Sequence, residues 1–238
     1  MKKIIIFTCC FILFIIGGYS WIQESLASRN VLKVVALGDS ITHGTGDPDK
    51  KGYIERVKLA LQKDKGISVK LRNFGIPKYT TEDILKQLEN EDTNKQIKQA
   101  DMIILYVGTN DFRHSAKHQF ENIDVMSLNR GRVQFSKNLD KILHSIRNQN
   151  QDASIFVLGL YHPYVEYKNN IQLQELIYAW NDEIHEVIKG YEQVKYVPTL
   201  DLFNNKPKTQ YFSDSIHPNP AGYELIANRL LESIQEKP

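Results

Sequence analysis

The sequence predicts a three-layer α/β domain in which helices cover both faces of a five-stranded parallel sheet. Three observations predict it. From residue 30 onward, apolar runs of strand length alternate with amphipathic stretches at helical spacing. Two of the runs, Val34-Val35-Ala36-Leu37 and Met102-Ile103-Ile104-Leu105-Tyr106-Val107, are apolar at every position, as strands covered on both faces are. Three runs also stop abruptly, at Gly38-Asp39-Ser40, at Gly75 and at Gly108-Thr109-Asn110. In an open α/β sheet such carboxyl ends share one edge, and that edge is where ligands bind.

Taken in order, residues 32–37 form the first strand and 53–64 a helix with Tyr53, Ile54, Val57, Ala60 and Leu61 on its inner face. A second strand over 67–74 ends at Asn73-Phe74-Gly75, and the chain turns at Pro77. Thr80-Thr81-Glu82-Asp83 then sets a hydroxyl followed by acids at the start of a helix running through Leu88, which suits the positive end of a helix dipole. After the third strand, 102–107, comes a polar stretch, 112–130, that carries Phe120, Ile123, Val125, Met126 and Leu128. Its length and irregularity predict a mobile cover over the site. Phe135, Leu139, Ile142, Leu143 and Ile146 mark the next helix, and residues 154–160 the fourth strand. A helix with Leu173, Ile177, Trp180, Ile184 and Ile188 on one face follows, then a short strand over 194–197. The closing helix buries Tyr223, Ile226, Ala227, Leu230, Leu231 and Ile234. No repeat, low-complexity tract or linker interrupts residues 30–238, so one domain is expected there, with the common strand order 2-1-3-4-5.

At 238 residues the chain is long enough for one sizeable core. Its 30 basic and 28 acidic residues nearly balance, which excludes the electrostatic footprint of a nucleic-acid binder. The amino terminus differs from the rest: Met1-Lys2-Lys3 precedes an almost unbroken apolar run over 4–16, the layout of a secretory signal. Ser25-Leu26-Ala27 offers a cleavage site. If Gly17 to Ile22 are counted in, however, the span reaches bilayer length, with Tyr19 and Trp21 placed as interfacial anchors. Residues 1–27 are therefore expected to be a signal peptide or an N-terminal membrane anchor. Both leave the domain extracytoplasmic, secreted or tethered to the membrane. Cys9 and Cys10, the only cysteines, lie inside the apolar run, so the domain has no disulfide staple.

The polar residues at the strand ends suggest chemistry. Ser40 follows the first strand, Gly75 the second and Asn110 the third, and Asp214 stands three residues before His217 in a turn closed by Pro218. That spacing lets a carboxylate reach the imidazole Nδ1 and leaves Nε2 free. Ser40 would be a nucleophile, His217 its base and Asp214 the partner that orients the base. The backbone N–H groups of Ser40 and Gly75 and the side chain of Asn110 would receive a tetrahedral oxyanion. At Gly75 a side chain would obstruct the substrate's approach to the backbone. Asp39 and Asp111 are expected to tie down loops, and Tyr161, Pro163 and Tyr164 are candidates for lining an acyl pocket.

Gly38-Asp39-Ser40, Asn73-Phe74-Gly75, Gly108-Thr109-Asn110-Asp111 and Asp214-Ser215-Ile216-His217-Pro218 stand in the order of the four blocks of the GDSL, or SGNH, esterase and lipase family. The chain resembles bacterial, membrane-proximal members of that family over nearly all its length after the leader. The resemblance implies a flavodoxin-like fold and hydrolysis of carboxylic esters through an acyl-enzyme, with no metal or cofactor. It implies the same roles for Ser40, Asp214, His217, Gly75 and Asn110. The second block departs from the pattern, with Lys78 where many members have a further glycine, and this leaves the shape of that loop open. The implied substrate is a small-molecule, lipid or polysaccharide ester. Membrane contact would run through the N-terminal segment if it is uncleaved. Within the hydrolases the alternative is a carbohydrate O-deacetylase acting on cell-wall polymers. A nucleotide- or flavin-binding module would need a phosphate cradle, and no G-x-G-x-x-G or Walker-type run follows the first strand. A catalytically idle envelope protein would not need five chemically competent positions.

Overall fold

The computed structural model describes residues 31–236. The expected leader, residues 1–27 with Cys9 and Cys10, lies outside them. Five strands, β1 (Val31–Gly38), β2 (Ser68–Gly75), β3 (Met102–Tyr106), β4 (Ser154–Leu158) and β5 (Val194–Val197), form one sheet in the order β2-β1-β3-β4-β5. Every pairing is parallel. β3 is buried at all five residues and β1 from Val34 onward, because helices cover both faces at the centre. β2, at one edge, buries only Val69 fully.

The helices are α1 (Ser40–His43), α2 (Gly52–Lys65), α3 (Thr81–Gln87), α4 (Glu91–Lys98), α5 (Thr109–Ser115), α6 (Val125–Gln149), α7 (Asn170–Ile188), α8 (Lys208–Tyr211) and α9 (Pro220–Gln235). α2 packs on α9 on one side of the sheet, and α6 packs on α3, α4, α5 and α7 on the other. α9 starts where Asn219 accepts hydrogen bonds from the N–H groups of Ala221 and Gly222, with Pro220 at the first helical position. Tyr223, Ile226, Ala227 and Leu230 on its inner face are buried, and burying each large apolar side chain of this kind contributes roughly 1.5–3 kcal/mol.

The stretch 112–130 is not irregular throughout: helices α5 and α6 take up its two ends, and only residues 116–124 lie between them. Phe112 is buried edge-on against Trp180 at 5.4 Å, and Phe120 stacks on Tyr164 at 4.3 Å. Asp124 caps α6, accepting from the Ser127 N–H at 3.0 Å, so that helix begins at Val125, ahead of the expected Phe135 turn, and Leu128 in its first turn is fully buried. Of the apolar residues that suggested a lid, Phe120 and Leu128 are buried and Ile123 packs against the core, which anchors the segment, while Val125 and Met126 are exposed.

Tyr161, Pro163 and Tyr164 are also reassigned. They surround a small gap against Phe112 and Ile177, away from Ser40, and the two tyrosines are almost fully buried. Tyr161 has a supporting task instead, because its hydroxyl donates to the Ile216 carbonyl at 2.7 Å and fixes the loop that carries His217.

Candidate active site

The parallel register aligns the strand ends that matter. Gly38 pairs with Gly75 on one side and with Tyr106 on the other, so the chain leaves β1, β2 and β3 at one level of the sheet. Just past β1, Asp39 caps α1, its Oδ1 accepting from the Ile41 N–H at 2.9 Å. The cap is thus the aspartate, and the hydroxyl of Ser40 is left for other use. Ser40 is the first residue of α1, a position whose N–H has no acceptor inside the helix.

His217 reaches Ser40 from the loop between α8 and α9. The Ser40 Oγ lies 2.9 Å from His217 Nε2, and His217 Nδ1 lies 2.6 Å from Asp214 Oδ2. The other carboxylate oxygen of Asp214 accepts from the backbone N–H groups of Ile216 at 2.8 Å and His217 at 2.7 Å. Partial burial works against the Asp214 charge, but these amides and the imidazole outweigh it and hold the carboxyl below its ordinary value. It stays ionised through the neutral range. The loop is closed by the Ser213 N–H, which donates to the His217 carbonyl at 2.9 Å, and by a bridge between Phe212 and Pro218.

The third strand contributes Asn110, in the first turn of α5. One hydrogen of its Nδ2 is given to the Tyr79 carbonyl at 2.9 Å, which orients the amide and leaves the other hydrogen for the cavity that Asn110 lines with Ser40 and His217. Asp111 ties α5 to the start of α3, accepting from the Thr81 N–H at 3.1 Å and from its hydroxyl.

Gly75 does not meet the expectation placed on it. Its N–H donates to Asn73 Oδ1 at 2.9 Å and is thereby occupied, and Gly75 is not among the residues lining the cavity. A glycine is required there for another reason: a Cβ would lie 2.7 Å from the Thr42 carbonyl carbon and 2.5 Å from the His43 nitrogen, so α1 can pack on β2 only where there is no side chain. The loop offers a different amide. Lys78 lines the cavity with Ser40 and Asn110, and its N–H has no hydrogen-bond partner among the described residues. Its backbone stands at φ 72, the left-handed region in which a non-glycine residue is strained by roughly 1 kcal/mol or more. The departure from the family pattern at Lys78 was the sequence signal for this residue.

Beneath the site, Asp39 is fully buried, and its Oδ2 has no hydrogen-bond partner among the described residues. Burial first, and the nearby Asp111 charge second, push its carboxyl up to about 8 against the pull of the Ile41 amide. A carboxyl raised on folding contributes most stability below its unfolded value, near pH 4, and that contribution is lost as pH climbs toward 8. Asp39→Asn keeps the Oδ1 acceptor and removes the titration. The stability of the variant relative to the parent is therefore expected to rise between pH 4 and pH 8 by up to roughly 5 kcal/mol and then level off. Denaturant melts across that range measure it; a difference that does not change with pH contradicts the burial of an unpaired carboxyl.

A model of the GDSL-like lipase/acylhydrolase family matches residues 36–225. The chain is 29% identical over 214 residues to the protein YpmR of Bacillus subtilis, covering 88% of this chain and 84% of that one. It is 27% identical over 207 residues to the spore germination lipase LipC of Bacillus licheniformis, covering 84% and 94% of the two chains. Among solved structures, the lipase Lip_vut3 from a goat rumen metagenome superposes with a TM-score of 0.73 at 26% identity, over 85% of this chain and 97% of that one.

Proposed function

The chain belongs to the GDSL-like lipase/acylhydrolase family, and from that membership we propose that it is a serine esterase with Ser40 as nucleophile, His217 as base and Asp214 as the partner of the base. The observation that carries this reading is the unbroken hydrogen-bonded path from Ser40 Oγ through His217 to Asp214. A neutral hydroxyl is a weak nucleophile, so His217 Nε2 takes the proton as Oγ attacks the ester carbonyl, and Asp214 balances the imidazolium that forms. The carbonyl electron pair moves onto oxygen. Three donors lining one cavity receive it: the backbone N–H groups of Ser40 and Lys78 and the free Nδ2 hydrogen of Asn110. As the tetrahedral intermediate collapses, the C–O bond breaks and the alcohol leaves with the proton from His217. Water then attacks the acyl-enzyme with His217 again as base, and the carboxylic acid is released.

Asn110→Ala is expected to lower kcat by about 10²–10³-fold with a smaller change in KM, since a donor to the oxyanion acts mainly in the transition state. Steady-state turnover of one soluble ester checks this; an unchanged kcat removes Asn110 from the hole.

The activity itself is tested with p-nitrophenyl esters from acetate to palmitate on the full-length chain. Two relatives named as lipases support an acyl group longer than acetate. Turnover of butyrate or longer esters is the expected result. Turnover confined to acetate moves the reading to O-deacetylation of cell-wall polymers, and no turnover of any ester overturns it. The domain is proposed to work outside the membrane, delivered by residues 1–27; protease accessibility on intact cells is expected, and full protection would contradict it.

A further inference from the structure

The cavity that exposes Ser40 has a volume of about 470 Å³, and among the described residues no carboxylate lines it. The basic side chains of Lys78 and Arg113 and the imidazoles of His114 and His118 line it instead. This is a marked local imbalance on a chain with 30 basic and 28 acidic residues. Among the described residues, neither Lys78 nor Arg113 takes part in an ion pair.

The basic side chains from α5 and the turn after it are held together by the fold. At the end of α5 the chain turns through Lys117 and His118, both at left-handed φ, and the His118 N–H donates to the Arg113 carbonyl at 3.0 Å. That turn brings the His118 ring back over the helix, 5.5 Å from the ring of His114, with its Nδ1 3.4 Å from an Arg113 Nη2. The Arg113 guanidinium rests 6.0 Å from the centre of the buried Phe120 ring. The two carboxylates near His114 accept hydrogen bonds from backbone and hydroxyl groups. Asp83 accepts from the N–H and hydroxyl of Thr80 at 3.0 and 2.7 Å, and Asp111 accepts from Thr81. Partial desolvation, followed by the neighbouring charges of Arg113 and His114, pushes His118 below its ordinary value, so it offers a hydrogen-bonding imidazole beside the Arg113 charge.

We propose that Arg113, Lys78 and His118 form an anion subsite, so that the ester cleaved at Ser40 carries a phosphate or carboxylate group next to its scissile bond. The inference rests on the serine esterase reading and names the substrate class of that same site. A guanidinium presents a fork of donors that matches either anion, and the lysine adds a mobile point charge, so the pair recognises the shared chemistry of the two groups.

Two matched substrate pairs on the full-length chain separate the sources. In the first, 4-nitrophenyl butyrate is compared with 4-nitrophenyl hemisuccinate, which places a carboxylate in the acyl half. In the second, monobutyrylglycerol is compared with its 3-phosphate, which places a phosphate in the alcohol half. At least one anionic member is expected to exceed its neutral match about tenfold in kcat/KM at low ionic strength, with the advantage shrinking as salt is added. Arg113→Gln is expected to bring that ratio to about one and Arg113→Lys to keep most of it. Should loss of the contact with Phe120 unfold Arg113→Gln, His118→Gln, at an exposed position, provides the second reading and lowers the ratio in the same direction. Ratios of one or less in both pairs, or a ratio unaffected by the soluble variants, overturn the subsite and leave the esterase reading standing. Failure to turn over any of the four esters overturns the esterase reading instead, and the subsite with it.

Discussion

Ser40→Ala is expected to lower ester turnover by about 10⁴–10⁶-fold while leaving the fold as stable as the parent within about 0.5 kcal/mol. The two halves of this expectation have separate causes. Turnover is lost because Ser40 Oγ is the atom 2.9 Å from His217 Nε2, and no other hydroxyl shares that contact among the described residues. Stability is kept because the cap of α1 is Asp39, so the Ser40 hydroxyl carries no helix-capping hydrogen bond whose removal would cost about 1 kcal/mol. A serine acting only as a cap gives the reverse pattern, with stability falling and turnover intact. Steady-state rates beside denaturant melts of the same preparation read both halves.

His217→Ala is expected to cost nearly as much as Ser40→Ala, and the double variant is expected to cost no more than the worse single one. Nucleophile and base act as one unit: without the base the hydroxyl keeps its proton, and without the hydroxyl the base has nothing to activate. Summed losses in the double variant would mean that the two residues act in separate steps. The loop itself is not expected to collapse in His217→Ala. Its frame rests on the Tyr161 hydroxyl to the Ile216 carbonyl, on backbone bonds around Ser213 and on the Asn219 cap, none of which uses the imidazole. Asp214 also keeps its two backbone donors when the ring is gone.

Much of the fold was legible because the central strands carry an uninterrupted signal. Residues 102–106 are apolar and fully covered in the structure, and the short strand Val194–Val197 has the bounds expected of it. Helix α4 was not legible. It is polar except for Ile97, and it is specified by its ends: Asn90 accepts from two N–H groups at its start, Glu91 and Asp92 fill its first turn, and Lys95 and Lys98 its last. The early start of α6 was hidden because residues 112–130 read as a polar, irregular stretch, and Gly131 follows them directly. A Cβ at that position would collide with the Ser115 side chain, so the glycine lets α5 and α6 touch rather than ending a helix.

The candidate site divides in the same way. Ser40, Asn110, Asp214 and His217 could be named from sequence because each role needs a particular side chain. The third oxyanion donor needs only a backbone amide, which any residue but proline supplies, so side-chain identity pointed to Gly75. Which amide is free depends on where Asn73 Oδ1 lies and on the loop through Pro77 and Lys78, and neither is encoded by residue type alone.

The central claim is that Ser40 Oγ becomes covalently bonded to the acyl group. Its most direct test is labelling of the full-length chain with a fluorophosphonate, followed by peptide mass spectrometry. One adduct is expected, on the peptide containing Ser40, absent in Ser40→Ala and formed far more slowly in His217→Ala. A preparation that hydrolyses esters but carries no adduct on Ser40, or is labelled at another residue, would contradict the account.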